Sequence, residues 1–165
     1  MFKSLLVALV CFLCYVMFVQ WTRPKVTFIQ NQGQANVVFA QDFIYMEKKP
    51  EKIIVGSSMA TRMKFLERDD VYNLACGGGG PLTGLKIIRK SGFVPKVLFI
   101  ESNVFTMLVD DNLIETLFPP LLFSLRSKVI ALQEKYQFLN LMGTFIYTFA
   151  GRSEAEKLSQ KVDKK

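Results

Sequence analysis

Hydrophobic and polar positions divide the chain into three stretches of different rhythm. The first is continuous, since Leu5–Val19 contains no charged residue. With Ser4, Gln20 and Trp21 it makes roughly 18 residues, the lower limit for a helix that spans a bilayer. Trp21 falls at the interface position, with Arg23 and Lys25 beyond it. The run ends Met-Phe-Val-Gln-Trp without a small-x-small site, and Cys11 follows Val10 rather than a small residue. An uncleaved membrane anchor is therefore favoured over a cleaved signal peptide, a lipoprotein leader or a buried core helix. Lys3 and the amino terminus on one side balance Arg23 and Lys25 on the other, so flanking charge does not set the orientation.

The middle stretch consists of short apolar runs closed by turn formers. Val38, Phe39, Phe43, Ile44 and Met46 predict a short amphipathic helix that Pro50 ends. Lys52–Gly56, Val71–Cys76 and Lys96–Glu101 read as three buried strands. Between the first two lie Ser57, Ser58, Met59 and a helix-compatible stretch to Asp70; between the last two, Pro81 opens a helix reaching Ser91. Strand, helix, strand, helix, strand predicts right-handed βαβ units. The expected class is α/β, three-layered, with a short parallel sheet flanked by helices and an N-terminal transmembrane helix. After Asn103 the pattern is helical and apolar to about Ala150, broken at Pro119–Pro120, with no further strand. These shifts suggest an anchor over 1–25, a stalk and first helix over 26–50, an α/β domain over 51–150 and a charged, frayed tail over 151–165. No internal repeat is visible.

Composition narrows the functions. Setting the anchor aside leaves about 140 of the 165 residues, one domain's worth. Half the residues are hydrophobic, which excludes a disordered chain. The net charge of +7 comes largely from the termini, where it suits anionic headgroups; no basic stripe with interleaved aromatics points to nucleic acid. Histidine is absent, which excludes His-ligated metal sites and Ser-His-Asp or Cys-His catalysis by this chain alone. Of three cysteines, Cys11 and Cys14 lie in the apolar run and Cys76 stands alone, so there is no disulfide pair in the domain and no CxxC. The stretch from Gly79 to Lys86 has one residue too many for a Walker loop, and Ile87 stands where Ser or Thr belongs. No cofactor or metal is expected.

In open parallel sheets ligands bind beyond the carboxyl ends of the strands. The three strands end in Gly56-Ser57-Ser58, in Asn73-Leu-Ala-Cys-Gly-Gly-Gly-Gly80 and in Glu101-Ser102-Asn103. This trio resembles the SGNH (GDSL-type) hydrolase and acyltransferase superfamily, in particular its membrane-anchored branch acting on bacterial cell-envelope polymers. The resemblance covers about residues 50 to 105. It implies an incomplete SGNH, flavodoxin-like fold in which Ser58 is the nucleophile, with Ser57 where Asp is frequent. It also implies oxyanion donors from the backbone of Gly78 (Gly77 and Gly79 being near-equivalent) and the side chain of Asn103. Glu-Ser-Asn-Val departs here from the usual Gly-x-Asn-Asp.

A serine hydroxyl still needs a base. The family's Asp-x-x-His block near the C-terminus has no counterpart here, so the sequence reads as truncated. An inactive relative or gene fragment, a half-enzyme completed by a second polypeptide, and a substitute carboxylate from Asp69, Asp70, Asp110 or Asp111 are the three explanations. A carboxylate is a weak base at neutral pH unless burial raises its pKa. Structural roles compete throughout. Ser58 suits a helix cap, Asn103 a turn and Gly77–Gly80 a tight connection. Cys76 suits a small buried hydrophobe, Asp110–Asp111 a helix start, and Phe138–Phe149 core or interface, being too short for a second span. The resemblance implies a single-pass protein of the bacterial inner membrane, its domain extracytoplasmic, related to ester chemistry on envelope polysaccharide. A non-catalytic membrane-tethered binding or assembly protein is the alternative. Expected partners are the bilayer and either a polysaccharide or a second polypeptide.

Overall fold

The computed structural model describes residues 2–63 and 70–162, and side chains as far as residue 151. Contacts divide the chain after Gln30 and after Ser127 into two compact units.

The unit spanning Asn31–Ser127 carries the sheet. Helix α2 (Gln32–Tyr45) starts at Asn31, whose side chain accepts the Gln34 N–H. It turns Val38, Ala40, Phe43 and Ile44 inward. Phe39, expected on the apolar face, is 47% exposed, one helical step away from that stripe. Strands β1 (Lys52–Val55), β2 (Val71–Asn73) and β3 (Val97–Ile100) form a parallel sheet ordered β2-β1-β3. Each is shorter than the apolar run that predicted it. Pairing nevertheless extends past the ends, with Leu74 N–H on the Ile54 carbonyl at 2.8 Å, Cys76 on Gly56 at 3.0 Å and Glu101 on Val55 at 3.1 Å.

The connection after β1 holds the short helix α3 (Ser58–Thr61). The predicted continuation of that helix over 64–69 lies outside the described residues. Helix α4 (Pro81–Ser91) has Pro81 in its first turn and ends at Gly92 in the left-handed region, as the punctuation predicts. Helices α5 (Asp111–Leu117) and α6 (Pro120–Lys128) follow, separated at the expected Pro119–Pro120 break.

Ile53, Val55, Leu74, Cys76, Ile87, Ile88, Phe43 and Leu117 form one core between the sheet and α2, α4 and α5. On the other face Ile54, Ala60 and Ala75 make a smaller cluster. Central strand β1 is buried along nearly its whole length. Edge strand β3 is not: Val97, Phe99 and Ile100 are exposed, Phe99 by 50%. Burial on both faces, usual for a parallel strand, requires neighbours on both sides, and β3 has one.

In the second unit α1 (Phe2–Thr22) contains a 20-residue segment, Lys3–Thr22, long and apolar enough to cross a membrane. Two 3-10 turns, Ile130–Leu132 and Glu134–Tyr136, lead into α7 (Phe138–Val162). The first turn packs on α1, where the Gln20 side-chain oxygen accepts the Ile130 N–H at 3.3 Å and Val19 is wholly buried.

Candidate functional site

Parallel strands place their carboxyl ends along one edge of the sheet, and that edge gathers the three motifs. Gly56 leads from β1 into α3. A Cβ there would lie 2.5 Å from a Glu101 oxygen and 2.6 Å from Ala60 Cβ, so only glycine allows the approach. Ser57 is the cap of α3: its hydroxyl accepts the Met59 N–H at 3.3 Å. The capping role suggested for Ser58 thus belongs to its neighbour. Ser58 occupies the first helical position, half-buried. Among the described residues its hydroxyl has no hydrogen-bond partner.

From β3 the Glu101 carboxylate reaches over to β1. One oxygen accepts the Ser57 N–H at 2.6 Å and the other the Ser57 hydroxyl at 3.2 Å. The Ser57 N–H above all holds this half-exposed carboxyl below the usual carboxylate range, with smaller help from the Ser57 hydroxyl, the Asn103 amide and the Ala60 N–H, and with desolvation opposing. It is therefore anionic at neutral pH. Asn103 is exposed, and its amide reaches the Met59 sulfur at 3.7 Å. That brings Asn103 to the residue directly after Ser58.

The glycine turn after β2 is pinned from α2. The Asn36 amide donates to the Gly77 carbonyl at 2.8 Å and its oxygen accepts the Gly77 N–H at 2.9 Å, both buried. The Gly79 N–H closes the turn onto the Cys76 carbonyl at 3.1 Å. Gly78 sits at the tip with φ 76°, a conformation natural to glycine, and a Cβ there would meet open space. Of the three interchangeable oxyanion candidates, Gly77 and Gly79 have committed N–H groups. Gly78 has none among the described bonds.

Three of the four substitute bases are engaged elsewhere. Asp70 pairs with Lys52 at 2.6 Å, at the amino end of β1 and so the opposite end of the sheet from Ser58. Asp110 lies at the motif edge but caps α5 by accepting the Leu113 N–H at 3.0 Å. Asp111 pairs with Lys86 at 2.6 Å. Asp69 lies outside the described residues. Cys76 is 2% exposed, and burial, with the Asp110 charge second, pushes its thiol up to about 12, so it acts as the predicted small hydrophobe. Among the described residues no three His, Cys, Asp or Glu side chains converge on a common point to hold a metal.

Of the residues that support the site, Asn36 carries no motif signal, while Asn73 opens the second strand-end motif. Asn36 and Asn73 secure its loops, Asn73 through its amide to the Ala60 carbonyl at 2.7 Å and through its oxygen to the Ala75 N–H at 3.1 Å. Glu101 stood in the sequence only as a departure from the family pattern, and that departure was its one signal. No protein-family model, curated protein or solved structure matches the chain.

Proposed function

We propose that this chain is a membrane-anchored relative of the SGNH hydrolases and acyltransferases, related to ester chemistry on envelope polysaccharide and incomplete as a catalyst by itself. The observation carrying this reading is that parallel strands bring Ser58, the Gly78 turn and Asn103 to one sheet edge, the Ser58 hydroxyl and Gly78 N–H without partners among the described residues and the Asn103 amide beside the residue after Ser58. In such a site Ser58 attacks the acyl carbonyl. The Gly78 N–H and Asn103 amide carry the negative charge that develops on its oxygen, each donor worth about 3 kcal/mol in comparable enzymes. The proton has no acceptor within this set. The described aspartates are taken up in caps and ion pairs, and Glu101 is too acidic to serve at neutral pH. The base is then a group other than Asp70, Asp110, Asp111 and Glu101. Phosphonylation of Ser58 with and without added imidazole, a small-molecule base, tests the assignment.

A second reading rests on a separate observation. The edge strand β3 exposes Val97, Phe99 and Ile100 between the charged residues Lys96 and Glu101. A non-catalytic, membrane-tethered assembly role, in which a partner strand adds to this edge, accounts for that exposure. Failure of Ser58 to react under any condition favours it.

A further inference from the structure

The first turns of α7 are built inside out. Phe138, Leu139, Met142, Phe145, Ile146 and Phe149 recur at helical spacing as one stripe, and all are exposed, Phe145 by 64%. The opposite side faces protein over Asn140–Thr144, while Tyr147 beyond it is 71% exposed. Asn140 is wholly buried, and its amide donates to the Glu134 carbonyl at 3.0 Å. Thr144 accepts the N–H groups of Thr27 and Phe28 at 3.1 and 3.0 Å, and Phe28 packs on Gly143. A water-facing helix turns its polar side outward; this one does the reverse.

Its neighbours fix where that stripe lies. The Tyr15 hydroxyl donates to the Tyr136 carbonyl, and the Tyr15 ring meets Phe138 edge-on at 6.4 Å. Tyr15 precedes the end of the candidate span by seven residues. At 1.5 Å per residue that is about 10 Å beneath the level of Thr22. Six residues later α7 meets Thr27 and Phe28, which lie beyond that end. The helix thus climbs from within the span's last turns to the interface at its end. At 14 apolar residues, Phe138–Gly151 is too short to cross.

We propose that α7 is a second membrane element, half-inserted in the leaflet that holds the Thr22 end of α1, its exposed aromatic stripe in contact with lipid. The proposal rests on α1 spanning the bilayer. The occupant is lipid because Phe138, the first residue of the stripe, meets Tyr15 within the candidate span, and both belong to the same compact unit. An unbroken stripe of this size in water would be an aggregation surface.

Trp21 is the single tryptophan, so tryptophan can be moved. The full chain is reconstituted in phosphatidylcholine vesicles whose acyl chains carry bromine at shallow or deep positions. Trp21→Phe combined with Phe145→Trp reads α7; Trp21→Phe combined with Leu9→Trp reads α1. Ile146→Trp repeats the α7 reading at a second exposed position. The expected result is loss of roughly half the emission of Phe145→Trp to shallow bromines, with Leu9→Trp quenched by deep ones and neither by aqueous iodide. Quenching of Phe145→Trp by iodide but not by bromine overturns the proposal. So does insensitivity to both, which would mean that a second copy or another protein covers the stripe. Iodide quenching of Leu9→Trp overturns the anchor reading instead, and is scored separately.

Discussion

Ser57 and Glu101 clamp β1 to β3 across 44 residues of sequence, the serine giving its N–H to one carboxylate oxygen and its hydroxyl to the other. The clamp holds the Glu101 carboxyl below its ordinary value, so its stabilisation is complete above the unfolded carboxylate value, about 4.3. It is lost as pH falls through the lower folded value. Glu101→Gln should destabilise the α/β unit by about 1 kcal/mol or less at pH 7, the exposed setting screening the charge. Thermal unfolding of the two proteins between pH 7 and 3 should converge at the acid end. A gap that persists there shows the carboxylate charge is not what matters.

Two glycines of the site should answer differently to alanine. Gly56→Ala drives a methyl into Glu101 and Ala60 and should cost about 1–3 kcal/mol by overpacking. Gly78→Ala meets open space and should lose about 1–2 kcal/mol through its left-handed backbone alone. The sharper contrast is in the clamp. Gly56→Ala should abolish the acid-side pH dependence assigned to Glu101, and Gly78→Ala should leave it intact.

Asn36→Ala leaves the buried N–H and carbonyl of Gly77 without partners, at about 1–3 kcal/mol for each group. Hydrogen exchange should speed up at Gly77–Gly79 more than in α4. Unchanged exchange there would mean the turn holds itself.

In the core, Phe43→Ala should cost about 3–5 kcal/mol, because the ring is wholly buried and touches Tyr72 and Phe93. Phe39→Ala should stay within about 0.5 kcal/mol, as an exposed position without a special contact through its side chain. Denaturant unfolding of both variants separates a face set by packing from one set by apolar composition.

Much of the fold was legible because its signals are local. Apolar runs ending at Gly56 and at the glycines after Cys76 gave the strands, and Pro81 and Gly92 bracketed α4. The strand ends were overextended because apolar character continues past Asn73, while the Asn73 side chain bonds the Ala75 N–H and ends regular strand there. The exposure of β3 was not legible, since edge status follows from the order β2-β1-β3 and not from Val-Leu-Phe-Ile. Nor was the direction of the α7 stripe: periodicity shows that one side is apolar, but only the contacts of Asn140 and Thr144 show that the opposite side faces protein there. Ser58, Gly78 and Asn103 were singled out in the sequence by a family resemblance, and the parallel sheet brings the ends of their strands to one edge. Their supports, Asn36 and Glu101, act through pairings 41 and 44 residues apart, for which a single sequence has no signature.

Site-resolved mass spectrometry after treatment with a fluorophosphonate tests the proposed function most directly. In that reaction the serine oxygen bonds to phosphorus, the phosphorus–fluorine bond breaks, fluoride leaves and the base takes the hydroxyl proton. The purified, detergent-solubilised chain should remain unmodified alone and acquire one phosphonyl group on Ser58 when imidazole is present. Ser58→Ala should acquire none, and Asn103→Ala should react at least tenfold more slowly, the loss of one oxyanion donor. Absence of the adduct with imidazole, or its appearance at Ser57 or elsewhere in place of Ser58, would contradict the assignment.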